Sequence, residues 1–98
     1  MASPAPGAFL LISRYTAPRE RIEELVPEHR AFLQEHLASG LFVVSGRRVP
    51  WTGGVVVARG TRAQVEAAVA ADPFTRAGVA ETELVEFEPL WGATSWLS

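Results

Sequence analysis

"PEHRAFLQEHLASGLFVVSG", residues 27–46, changes from a helical to an extended pattern at a single glycine. Pro27 suits a first helical turn, where no backbone donor is needed; in a helix interior it would remove a hydrogen bond and clash with the preceding turn. The stretch therefore reads as a main helix over about 27–39, a stop at Gly40, and an apolar strand over 41–46. Residues 18–25 also have helical composition and are assigned to a short separate turn.

Working outward, "AFLLISRY" (8–15) is an apolar and aromatic run that gives way to "TAPRE", a strand ending in a turn. On the other side, "RRVPWTGG" is an irregular connection and "VVVA" (55–58) a third strand. Thr61 with Gln64 three residues on is a capping-box pattern, followed by Val65, Ala68 and Val69 at helical spacing, so a second helix is predicted over about 62–71. In "ETELVEFEPL" (81–90), Val85 and Phe87 alternate with Glu86 and Glu88, a half-exposed strand closed by Pro89. Residues 1–7 are read as a loose leader, 8–90 as the domain and 91–98 as a tail bearing Trp91 and Trp96.

The order βαββαβ folds most economically as an α+β, ferredoxin-like sandwich: a four-stranded antiparallel sheet with both helices on one face. The other face is then bare, yet "FLLI", "LFVV" and "VVV" lack the polar alternation of a solvated face. A second copy, sheet against sheet, is the simplest cover. The expectation is a homodimer, or a higher assembly built from it, forming a dimeric α+β barrel.

Composition narrows the chemistry. In 98 residues the chain has room for one domain with a modest core. Its net charge is -2, all nine basic residues are arginines, and only Arg47 and Arg48 are adjacent, so no basic stripe for nucleic acid is present. No lysine is available for a Schiff base or a phosphate loop, and no cysteine for a thiolate, a disulfide or a metal. No segment has the length of a membrane span, and the start lacks the pattern of a secretion signal. The expected location is the cytoplasm, with no nucleic-acid or membrane partner.

Two histidines stand in the main helix. His29, Leu33 and His36 lie at i, i+4 and i+7, on the apolar side beside Phe32. Two turns separate the imidazoles by about 10 Å along the axis, too far for one metal ion, so no metal site is expected. Each histidine has an ordinary reading as a half-buried helix residue. A working reading needs a second group that sets the tautomer, most often a carboxylate. The single aspartate, Asp72 in "AADPFTRAG", is in phase with the buried side of the second helix. Followed by Pro73 it is also a good cap for a new helical turn, and both roles can coexist. Ser45, before Gly46 at the end of the second strand, offers a hydroxyl and amides to a polar substrate atom, or is a turn residue. Arg14 could bind an anion or pair with a surface glutamate.

The two segments "PEHRAFLQEHLASGLFVVSG" and "ADPFTRAGV" (71–79) resemble the YCII-related (YciI-like) family. The first is similar to its Pro-x-His-x-x-x-Leu helix, Gly, and strand ending in a small residue plus Gly. The second is similar to its Asp-Pro-Phe segment with a following Gly. The resemblance implies a small dimeric ferredoxin-like domain whose His and Asp form an active-site dyad, here His29 and Asp72, and it assigns nothing to His36. Ser45, Gly46 and Phe74, within the matched segments, are then expected to line the substrate site with Arg14. Members often have a Pro after that Gly where this chain has "RRVPWTGG", which implies a different loop over the pocket. Understood members include a dehydrochlorinase acting on a chlorinated aromatic-derived substrate.

These readings favour a cofactor-free lyase or isomerase that moves a proton on a small cyclic or carbonyl-activated metabolite. The alternatives are a dimeric module that binds a small ligand or serves a larger pathway protein without turnover, and a structural dimerisation domain whose tail fills the pocket.

Overall fold

The computed structural model describes residues 6–92. The proposed leader up to residue 5 and the tail from residue 93, Trp96 included, lie outside them. Four strands, β1 (Gly7–Tyr15), β2 (Phe42–Arg47), β3 (Gly54–Gly60) and β4 (Ala80–Phe87), alternate with α1 (Arg19–Ser39), α2 (Arg62–Ala71) and a single turn, α3 (Pro73–Arg76). The sheet order is β2-β3-β1-β4, with every neighbouring pair antiparallel. This is the ferredoxin-like βαββαβ arrangement expected from the sequence, with Gly7 drawn into β1 opposite Gly60.

The extent of α1 departs from the sequence reading. The segment is one helix from Arg19 to Ser39 with Pro27 inside it, rather than a short turn followed by a helix starting at Pro27. Burial explains the difference. Ile22, 1% exposed, and Leu25 pack with Phe74, Val79 and Ala80, and Val26 and Tyr15 close over them. Burying two such side chains contributes about 1.5–3 kcal/mol each, which offsets the roughly 3 kcal/mol of an interior proline. Pro27 itself is exposed, where its missing donor disrupts no core contact.

The other helix signals act as read. Gly40 ends α1 with φ 84°, a left-handed conformation that glycine adopts without a Cβ penalty. At α2 the Thr61 side chain accepts from the Gln64 amide at 3.2 Å while Gln64 accepts from the Thr61 amide at 2.9 Å, satisfying two otherwise orphaned donors.

Alternation along β1 sends Phe9 and Leu11 toward the helices, where they join Phe42, Ala58, Val65 and Ala68, with Phe32 and Leu33 of α1 against them. The intervening Leu10 and Ile12 face the other way. Leu10 pairs with Val57 and Val85, and Ile12 with Val55. Among the described residues no helix covers this face, and Val44, Val85 and Phe87 are 45%, 37% and 39% exposed.

Candidate functional site

The two core clusters meet at a cavity of about 210 Å³ between the sheet and α1, walled on one side by Leu11, Phe32, Leu33 and Phe42 and on the other by Tyr15, Trp51 and Phe74. An engineered cavity of about 150 Å³ holds benzene, so this one accommodates a single substituted ring. His29 and Asp72 lie on its wall.

His29 projects from α1 one turn before Leu33, and Asp72 stands at the corner between α2 and α3. Nδ1 of His29 is 3.0 Å from Oδ1 of Asp72, with the two side chains 22% and 17% exposed. The same oxygen accepts the Phe74 amide at 2.9 Å and so caps α3. One carboxylate atom thus contacts both the histidine ring and the α3 amide. With Nδ1 facing the carboxylate, a proton on Nδ1 donates to Asp72 and makes Nε2 the acceptor nitrogen of the neutral ring. The imidazole is held flat on Phe74, with centroids 4.0 Å apart and an interplanar angle of 12°. Phe74, 3% exposed, is a wall of the cavity and the floor under the imidazole.

Ser45 and Gly46 line the cavity from β2. Arg14 does not. It lies on the opposite face of the sheet from Ser13 and Tyr15 and pairs with Glu81 at 2.6 Å among exposed side chains. The strand alternation that points Leu11 inward points Arg14 outward, so its place as a substrate-binding residue is withdrawn. His36 sets its ring against Phe32 and Phe42, at 4.7 and 4.9 Å between centroids, and is not among the residues lining the cavity.

Sequence reasoning passed over Tyr15, Arg47 and Trp51. Tyr15 was legible, since it shares the inward phase of Phe9 and Leu11. Trp51 belongs to an irregular loop, and only the folded chain reveals its position. That loop is fastened by the backbone: the Tyr15 amide donates to the Thr52 carbonyl at 2.8 Å and the Arg48 amide to the Gly53 carbonyl at 3.0 Å. Ser13 Oγ accepts from the Gly54 amide at 2.9 Å. A Cβ at Gly53 would fall on the Ser13 carbonyl, so glycine is required there. Trp51 is thereby laid against Tyr15, edge to face at 5.8 Å, and Trp91 is exposed away from the cavity.

Among the described residues no cluster of His, Cys, Asp or Glu could hold a metal ion, and no helix is long and apolar enough to cross a membrane. The fold and cavity define a small ferredoxin-like domain with a histidine and a carboxylate at one apolar pocket. The YCII-related domain matches residues 8–88, and the chain belongs to that family. A solved structure with the same fold is the 5-chloro-2-hydroxyhydroquinone dehydrochlorinase of Burkholderia phenoliruptrix, in complex with 2,5-dihydroxybenzoquinone. It aligns with a TM-score of 0.71 and 20% identity over 83% of this chain and 93% of that one. Among curated proteins, none matches the chain.

Proposed function

We propose that the protein is a cofactor-independent lyase or isomerase in which His29 is the general base and Asp72 positions it. The observation that carries this reading is the 3.0 Å contact between Nδ1 and Oδ1 on the wall of an otherwise largely apolar cavity. Nε2 removes a proton from a carbon next to a carbonyl, and the C–H electron pair moves onto the carbonyl oxygen as an enolate. Asp72 stabilises the imidazolium that forms. Return of the proton to another ring atom completes an isomerisation. Departure of a leaving group from the neighbouring carbon, taking its bonding pair, completes an elimination. The dehydrochlorinase of the same fold, whose name records loss of hydrogen chloride and whose structure holds an oxygenated six-membered ring, supports the lyase branch.

The working unit in this reading is a homodimer. Leu10, Ile12, Val44, Val55, Val57 and Val85 share the open face of the sheet, and packing two such faces together removes an apolar surface that a monomer would leave in water.

The test is a panel of small cyclic ketones, enols, lactones and halogenated ring compounds offered to wild type and His29→Ala. The expected result is turnover of at least one compound by wild type and a loss of about 100- to 10,000-fold in the variant, with oligomeric state and melting behaviour unchanged. Equal turnover by the variant refutes the base assignment and favours a pocket that only binds.

A further inference from the structure

Tyr15 is one ring away from His29. Phe74 stacks on the imidazole and meets the Tyr15 ring edge to face at 5.7 Å, 86°. Trp51 Nε1 donates to the Tyr15 hydroxyl oxygen at 2.6 Å. An indole N–H can only donate, so the phenol oxygen accepts there and its own hydrogen is left for another partner. Among the described residues no acceptor takes it. The Arg47 guanidinium lies 3.8 Å from the Trp51 ring centroid, lines the same cavity, and has no carboxylate partner among the described residues. A second guanidinium, Arg19, lies over the same indole at 4.6 Å.

The charged side chains on the cavity wall, His29 aside, are Arg30, Arg47 and Asp72, and Asp72 is already engaged by His29 and the Phe74 amide. The Tyr15 end of the cavity therefore presents a hydrogen-bond donor and a cation with no carboxylate bonded to either, the nearby Asp72 being held by His29 and the Phe74 amide. Such an arrangement favours an anionic oxygen.

We propose that Tyr15 and Arg47 form an oxyanion-binding site, Tyr15 donating the hydrogen bond and Arg47 supplying the counter-charge, for a single-ring substrate bearing an ionisable enol or phenol oxygen. The substrate class rests on the proton-transfer reading of the cavity, whereas the oxyanion site is testable without turnover. During reaction the same pair would receive the charge that appears on the carbonyl oxygen when His29 removes the proton. Burial, joined by a smaller push from the Asp72 carboxylate, raises the Tyr15 phenol above the ordinary tyrosine range, outweighing the Trp51 hydrogen bond and the nearby Arg47 and Arg19 charges. The phenol is thus in its donor form at neutral pH.

The experiment compares binding of para-nitrophenol with that of para-nitroanisole, a neutral analogue of similar shape. Wild type should prefer the ionised phenol, read as a rise in nitrophenolate absorbance at a fixed, mildly acidic pH. Tyr15→Phe keeps the ring contacts and should weaken nitrophenolate by about ten- to a hundredfold, leaving nitroanisole unchanged. Arg47→Gln should weaken nitrophenolate most at low salt. Circular dichroism on both variants verifies the fold. A wild type that does not favour nitrophenolate over nitroanisole, or a folded Tyr15→Phe that binds nitrophenolate as wild type does, overturns the proposal. Nitrophenol has no carbon-bound proton next to a carbonyl for a base to remove, so this binding readout stands or falls apart from the base assignment, which turnover by His29→Ala tests.

Discussion

Asp72→Asn keeps an oxygen at the head of α3 and removes the negative charge beside His29. Asn and Asp are comparable helix caps, so the 2.9 Å bond from the Phe74 amide can persist and the capping contribution to stability should be retained. The 3.0 Å contact with His29 becomes a neutral hydrogen bond with no counter-charge for the imidazolium. Hydrogen bonds to charged groups contribute about 1.5–3 kcal/mol, so the rate should fall roughly 10- to 150-fold. Asp72→Ala removes the cap as well, at a cost of about 1 kcal/mol, or roughly a fivefold drop in the ratio of folded to unfolded chain. Urea unfolding and turnover measured on the same preparations separate the two effects. A wild-type rate in Asp72→Asn refutes the positioning role, and unchanged stability in Asp72→Ala refutes the cap.

Two further outcomes are expected. Gly53→Ala should lower the melting temperature by about 5 °C or more, because the added methyl meets the Ser13 carbonyl and overpacking costs about 1–3 kcal/mol; an unchanged melt shows that the loop anchor is dispensable. Val85→Arg, on the open face where Val85 pairs with Leu10, should convert a dimer to a monomer in sedimentation at micromolar concentration, and a wild type that is already monomeric refutes sheet-to-sheet packing.

The order of the elements, the presence of both main helices and the α3 cap were legible because each is signalled locally: Gly40 as a stop, Thr61 with Gln64 as a box, Asp72 before Pro73 as a cap. The continuity of α1 was hidden. A rule about Pro27 is local, whereas the contacts of Ile22 and Leu25 with Phe74 and Val79 join residues about fifty positions apart. Arg14 was misplaced as a candidate through attention to its charge rather than its phase on β1, the same alternation that would have offered Tyr15. The encounter of Trp51 with Tyr15 depends on Gly53 passing close over Ser13, and no spacing in the sequence encodes that approach.

The β2–β3 connection holds its place through main-chain hydrogen bonds at Arg48, Thr52 and Gly53, while His29 and Asp72 belong to the helical layer. The exposed side chains of Val49 and Pro50 can therefore be exchanged with little effect on the helical layer that carries the histidine and the carboxylate. Lengthening such a loop is entropically inexpensive, about 0.6 kcal/mol for each doubling. Descendants of one ancestral chain can diverge in what they admit while inheriting a common reaction, because selection on the loop and selection on the helices act on separate parts of the backbone.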